Sequence, residues 1–151
     1  MFVGVVASAA WLGHEADEGP VDVVALMQGT QKNQLAMMAS NRGFRVEREE
    51  VEAAEELDLV PMSFGDPEGE VRVHVLLASN ALYGRMAAAG EQATIESLEV
   101  RIPRKEDLAL MMIMAEDEDV VRRLRALEGF DEGAFREKLV SIGLGGLVAT
   151  G

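Results

Sequence analysis

Pro20-Val21-Asp22-Val23-Val24-Ala25-Leu26 is the stretch of sequence that decides the fold. The apolar run after Asp22 predicts a β-strand over residues 21–26, buried on both faces in the centre of a sheet. Alternate residues of a strand share a face, so the same-face neighbours of Asp22 are Pro20 and Val24. A site that holds two metal ions for phosphoryl transfer needs a second carboxylate at such a position. The strand therefore lacks the second carboxylate that such a site requires.

The rest of the chain alternates between strand and helix patterns. The order predicts an α/β (α+β) fold with a mixed sheet of about 4–6 strands, helices on one side and a helical C-terminal portion. Predicted strands are residues 2–6, 21–26, 44–46, 59–64, 71–77 and two short ones within 93–102. Predicted helices are residues 7–12, from an N-cap at Thr30 to Arg42, 80–89, and three within 104–143 with Asp131 as the last N-cap. Residues 47–58 predict an acidic loop or short helix, and residues 144–151 a glycine-rich tail.

Length and composition limit the function classes. The 151 residues, 48% of them hydrophobic, predict a single domain over 1–151, with the sheet in about 1–103 and helices in about 104–143. No apolar run reaches the ~18 residues of a membrane span, and the start has no basic leader, so we expect a cytoplasmic protein without membrane contact. The absence of cysteine fits a reducing compartment. A net charge of −13 argues against nonspecific nucleic-acid binding and suits solubility, a basic protein partner or a salt-adapted host.

Three segments carry a resemblance to a known family. They are Gly4-Val5-Val6-Ala7-Ser8-Ala9, Pro20-Val21-Asp22-Val23-Val24, and the most specific one, Ile102-Pro103-Arg104-Lys105-Glu106-Asp107-Leu108. The first is similar to a Gly-Gly-x-Ala-Ser turn, the second lies at the place of an Asp-x-Asp strand, and the third is similar to a Pro-x-x-Glu-Asp-Leu helix start. Over most of its length the chain resembles small bacterial and archaeal nucleotidyltransferase-fold proteins, of the kind found in toxin–antitoxin or abortive-infection operons.

The resemblance implies a set of site residues and several departures. Gly4 and Ser8 would bind nucleotide, and Asp22 would be the catalytic carboxylate and a metal ligand. His74 occupies the place of a third carboxylate and would be the other metal ligand. The departures are Val5 for the second glycine, Pro20 for the first metal carboxylate, Met112 for a helix lysine, and no Arg or Thr within residues 15–19. Two divalent ions need several bridging oxygens, which one aspartate and one histidine cannot supply.

Each candidate residue also has a structural interpretation. Asp22 is either a metal ligand or a polar strand-end residue satisfied by backbone amides. His74 is either a ligand or general base, or a partly buried histidine paired with a neighbour such as Asp22. Ser8 either meets a phosphate at the helix N-terminus or is a small residue at a tight turn. The loop around His14 either binds a cation or is a solvated acidic loop. The methionines of Met111–Met114 are either helix core or a contact with a partner. Six basic residues either contact a phosphate or form ion pairs within the chain: Arg101, Arg104, Lys105, Arg122, Arg123 and Arg125.

Three functional hypotheses follow. The first is a catalytically impaired nucleotidyltransferase-like protein that acts through a protein partner or homo-oligomer, as an antitoxin-like or regulatory subunit. The second is an active enzyme that uses Mg²⁺ to move NMP from NTP to a hydroxyl of protein or RNA, with Asp17 or Glu18 replacing the missing carboxylate. The third is a binder of another small ligand, or of a single softer ion such as zinc, at Asp22 and His74.

Overall fold

The computed structural model describes residues 1–14, 19–53, 58–65, 68–78, 81–95 and 97–146, and within these ranges it is a mixed α/β fold. The predicted fold class is confirmed. The strands are β1 (Val21–Ala25), β2 (Leu59–Phe64), β3 (Val71–Leu77), β4 (Glu91–Ile95) and β5 (Leu98–Ile102). The helices are α1 (Gly4–Leu12), α2 (Lys32–Ser40), α3 (Arg48–Ala53), α4 (Ala81–Ala89), α5 (Lys105–Met114), α6 (Glu118–Arg125) and α7 (Glu132–Ser141). The predicted tail beyond residue 146 lies outside the described residues.

The described strands form two sheets joined by the first residues of the chain. The three-stranded sheet has the order β1-β3-β2, with β1 parallel to β3 and β2 antiparallel to β3, and β4 pairs with β5 in a hairpin. On the other side of β1, the Val24 N–H donates to the Met1 carbonyl, and the Val3 N–H donates to the Asp22 carbonyl. The Phe2 N–H donates to the Arg101 carbonyl of β5. Residues 1–3 thus connect the sheets and place β1 in an interior position.

The first helix begins earlier than the sequence predicts. The predicted strand over residues 2–6 is wrong after residue 3, because α1 starts at Gly4. Short apolar runs carry no periodicity that separates a strand from a buried helix. The predicted end is confirmed, since Gly13 adopts φ +68° and its N–H donates to the Ala9 carbonyl.

The segment around α2 differs from the sequence prediction in its details. Thr30 is not the N-cap, because it lies in a 3-10 turn that precedes α2. Gln28 caps that turn, and its own N–H donates to Gln31 Oε1. The strand predicted at 44–46 is reduced to one bridge between Arg45 and Ser63. The acidic segment forms α3 at residues 48–53, and residues 54–57 lie outside the described part of the chain.

Helices cover both faces of the three-stranded sheet, which corrects the expectation of helices on one side. Side chains of one face pack with α2, and those of the other face pack with α1 and the C-terminal helices. On β3 the alternation is direct: Val75 and Leu77 belong to the α2 cluster, whereas Leu76 belongs to the larger cluster. The larger cluster has its most buried members on α1, α5 and α6, namely Ala7, Leu108, Ala109, Leu110 and Leu124.

The segment that carries the most specific motif holds three helices together. Trp11 Nε1–H of α1 donates to the Pro103 carbonyl at 2.9 Å, and Lys105 Nζ donates to the Glu128 carbonyl at 2.6 Å. Glu106 Oε1 accepts from the N–H of Asp131, the N-cap of α7, at 2.7 Å. Asp107, which is buried, forms an ion pair with Lys138 of α7, whose side chain is 32% exposed. The first residues of α5 therefore tie it to α1 and α7.

Glu132 gives this C-terminal region a predictable pH dependence. It bonds Arg125 through both carboxylate oxygens, at 2.8 and 3.1 Å, and Arg136 at 3.3 Å. Partial burial alone would raise the pKa of Glu132, but the bonds and charges of the two arginines outweigh it and lower the pKa. A lowered acid pKa adds stability above the ordinary glutamate value of about 4.3, and that stability is lost as the pH falls through the lowered pKa.

We therefore expect Glu132→Gln to lower the free energy of unfolding at pH 7 by about 0.5 kcal/mol, the scale of exposed pairs. The difference from wild type should shrink towards zero as the pH falls through the lowered pKa. Urea unfolding of both proteins, repeated from pH 7 down through the lowered pKa, measures this difference in stability. A difference that stays constant with pH would contradict the role assigned to the ionised carboxylate.

Candidate functional site

Asp22 and His74 lie side by side on neighbouring strands. They are register partners in the parallel pairing of β1 with β3. His74 Nδ1 and Asp22 Oδ1 are 3.1 Å apart, so the predicted pairing of these two side chains is confirmed. When the carboxylate is ionised, Nδ1–H is the donor, and in the neutral ring Nε2 is then an acceptor. The pair thus presents a carboxylate and an imidazole at one point of the sheet.

The pair is partly buried but remains reachable from solvent. The side chains of Asp22 and His74 are 26% and 34% exposed. Burial is the main cause that raises the pKa of Asp22, and the charge and hydrogen bond of His74 oppose this rise. The histidine therefore offsets part of the desolvation that an ionised carboxylate suffers here.

Gly4 lies directly against the Asp22 carboxylate. A Cβ built on Gly4 would be 2.4 Å from Asp22 Oδ2, and Gly4 adopts φ +57°. Both facts require glycine, because an L side chain would meet the carboxylate and rarely adopts that φ. The contact also brings the carboxylate to the start of α1, where the helix dipole favours negative charge. Gly4, Asp22 and His74 therefore belong to one site, although nucleotide binding by Gly4 stays a prediction.

Ser8 contacts this group through the main chain of Gly4. It is 5% exposed, and its Oγ donates to the Gly4 carbonyl at 2.9 Å within α1. Since the helix begins at Gly4, Ser8 is one turn inside it, and the prediction that it stands near the N-terminus is wrong. As for Gly4, nucleotide binding by Ser8 stays a prediction.

A cavity of about 280 Å³ opens beside the pair. The polar side chains in its lining are Asp22, His74 and Tyr83, and the walls are otherwise apolar. The full lining is Val3, Gly4, Asp22, Leu59, His74, Leu76, Tyr83, Met111, Met112, Met114 and Ala115. Met112, at the place of the family's helix lysine, thus belongs to the same cavity as Asp22. Tyr83 and Leu59 are not predicted as site residues, since their sequence neighbourhoods carry no site motif, and the sequence offers Met114 only as helix core or partner contact within Met111–Met114.

A larger open groove lies elsewhere along β1. Its volume is about 590 Å³, and it runs along residues 23–26 and the end of α4. The charged side chain in its lining is Arg101, which donates to the Ala87 and Ala88 carbonyls at 3.1 and 2.8 Å. Because that guanidinium is bound to the helix end, we place the candidate site at the smaller cavity.

Five of the six basic residues considered as phosphate contacts, all except Arg123, bind groups of the chain itself. Like Arg101, Arg104 donates to a carbonyl at the end of α4, that of Ala89 at 3.1 Å. Such contacts satisfy the free carbonyls of a helix end and complement its negative dipole. Arg122 pairs with Asp119, as Arg125 does with Glu132, so ion pairing within the chain is confirmed for these two.

The donor set at Asp22 does not fit two magnesium ions. Mg²⁺ takes oxygen ligands in an octahedron, and this site offers one carboxylate and one imidazole. Among the described residues, no three His, Asp or Glu side chains cluster as a metal site. Asp17 and Glu18, the predicted substitutes, and the acidic loop beside His14 lie outside those residues. A single softer ion would have two ligands, short of the usual three or four.

Comparisons with known proteins do not assign this chain to a family. A scan against protein-family models found none that matches the chain, and a search of curated proteins found none significantly similar in sequence. The resemblance therefore stands on the quoted motifs. Separately, no helix in the described ranges is long and apolar enough to cross a membrane.

Proposed function

We propose that this protein is a nucleotidyltransferase-like scaffold that acts by binding a protein partner, as an antitoxin-like or regulatory subunit, and not by nucleotidyl transfer. One observation carries the proposal. Asp22, the carboxylate that matches the family's metal strand, is bonded to His74, where the resemblance calls for another carboxylate. The neighbouring strand therefore contributes an imidazole where a two-metal site needs oxygen ligands.

The surroundings of Asp22 support the same proposal. Triphosphate recognition uses cationic side chains and backbone amides near the metal. In the candidate cavity the position that matches the family's lysine is Met112, and the walls are methionine and aliphatic side chains. Methionine-rich surfaces adapt to protein partners. The net charge of −13 favours association with a basic partner and disfavours a polyanion such as NTP.

Calorimetric titration of NTP with and without Mg²⁺ tests the proposal, using wild type and Asp22→Ala. We expect no metal-dependent heat from either protein. Metal-dependent binding by wild type that Asp22→Ala abolishes would contradict the proposal and support the active Mg²⁺-dependent enzyme.

A reciprocal variant tests the scaffold itself. Pro20 precedes Asp22 by two positions, and His74 is its register partner, so Pro20→Asp with His74→Asp puts three carboxylates at the matching places. On a nucleotidyltransferase-like scaffold, this double variant should gain Mg²⁺ binding in the same titration. The matched control, Pro20→Asn with His74→Asn, should not. Failure of the carboxylate variant to gain binding while folded would count against the scaffold.

A further inference from the structure

The cavity beside Asp22 has the chemistry of a receptor for a long cationic side chain. Its volume of about 280 Å³ lies just below the ~300 Å³ at which pockets for drug-sized ligands begin. A carboxylate stands at one point of its lining, and Met111, Met112 and Met114 form an apolar wall. Lysine and arginine side chains match this arrangement, because they pack an aliphatic stem on apolar surface and keep a charged end at a polar group.

We propose that this cavity holds the side chain of an arginine or lysine from a basic protein partner, with its charged end on Asp22. This inference rests on the proposed binding function and names the chemistry of the partner. Charge complementarity selects the occupant. Asp22 is the carboxylate of the cavity, no lysine or arginine stands among the described residues of its lining, and the whole chain carries a net charge of −13.

The geometry at Asp22 leaves room for such a contact. Oδ1 accepts from His74, but a carboxylate has about four lone-pair sites, so it retains acceptor capacity. With Nδ1–H donating to Asp22, Nε2 of a neutral His74 is a second acceptor, which suits the several N–H donors of a guanidinium. Arginine is therefore expected to bind more tightly than lysine. Met114, a residue of the lining, is 43% exposed, so a stem that comes from solvent can contact it.

A peptide titration tests the inference on the full chain. The probes are blocked pentapeptides with two alanines on each side of a central arginine, lysine, citrulline or norleucine. Binding is followed by NMR, through the His74 ring and the Met111, Met112 and Met114 methyl signals. We expect saturable shifts of these signals with the arginine and lysine peptides, and binding weaker by about tenfold or more with citrulline and norleucine.

Matched variants show which carboxylate of the protein binds the arginine peptide. Asp22→Asn should weaken arginine-peptide binding by about tenfold or more. Glu99→Gln changes net charge equally, at an exposed position of β5, and should weaken binding by less than about twofold. Met112→Lys puts a cation into the cavity wall and should abolish binding, which keeps the test valid if Asp22→Asn fails to fold.

Several results would overturn the inference. Equal losses in Asp22→Asn and Glu99→Gln would mean diffuse attraction by an acidic surface. Equal binding of the norleucine and arginine peptides would mean that the cavity recognises an apolar side chain and not its charge. Free propylguanidinium that binds as tightly as the peptide would identify a small organic cation as the ligand. The peptide titration and the nucleotide titration can fail independently, since a protein that does not bind NTP can also fail to bind any of the peptides.

Discussion

Lys138→Met is expected to destabilise the fold by about 2–3 kcal/mol, because it leaves a buried carboxylate without its cation. Asp107 is 3% exposed, and its Oδ1 is paired with Lys138 Nζ. Its other oxygen, Oδ2, has no hydrogen-bond partner among the described residues. Desolvation without compensation makes such a group costly to retain in ionised form. Urea unfolding at pH 7 measures the loss.

Two controls separate the buried charge from the loss of a side chain. Lys138→Met combined with Asp107→Asn should recover most of the stability, because no ionised group is then buried. Arg48→Met removes a cation from an exposed pair with Glu52, whose side chains are 90% and 60% exposed, and should change stability by less than about 1 kcal/mol. If Lys138→Met changed stability no more than Arg48→Met, the buried pair would not hold α5 to α7 as described.

Gly4→Ala is expected to destabilise the fold by about 2 kcal/mol or more. The new Cβ would meet Asp22 Oδ2 at 2.4 Å, and φ +57° is a conformation that alanine rarely adopts. The carboxylate would have to move, which also disturbs its bond with His74. Chemical unfolding gives the loss of stability, and the His74 ring signals report the displaced partner.

The chain offers a matched control for this substitution. Gly84 lies in α4 with no atom within 4 Å of a Cβ built on it. Gly84→Ala should therefore be neutral or stabilising by up to about 1 kcal/mol, from helix propensity. Adding Asp22→Ala to Gly4→Ala removes the clash but not the backbone strain, so the double variant should recover part of the lost stability. Equal effects of Gly4→Ala and Gly84→Ala would contradict the packing of α1 against Asp22.

Local signals explain which parts of the fold could be predicted from the sequence. The β2–β3 hairpin follows from two apolar runs around a glycine-rich turn, and α7 follows from Asp131 as N-cap with Phe135 and Leu139 inward. The start of α1 could not be found this way. Its first residue, Gly4, has a left-handed φ beside Asp22, a residue distant in sequence. The small apolar residues that follow fit either a strand or a buried helix.

The candidate site was predictable in its polar residues and not in its walls. Asp22 and His74 stand out as polar residues within apolar strands, and a pairing of the two was foreseen. Their register could not be read locally, because parallel strands pair across long connections. Tyr83 reaches the cavity through the packing of α4, which depends on tertiary contacts and leaves no motif. Met114 belongs to the Met111–Met114 run, but the sequence does not show which of these methionines line a cavity.

We propose that Asp22 serves His74 and a partner, and not a catalytic metal. Paramagnetic Mn²⁺, a common substitute for Mg²⁺, tests this role through the NMR signals of the His74 ring. We expect substoichiometric Mn²⁺, with or without NTP, to leave these signals as sharp in wild type as in Asp22→Asn. Selective broadening of the His74 signals in wild type that Asp22→Asn removes would contradict it and place a metal at this carboxylate.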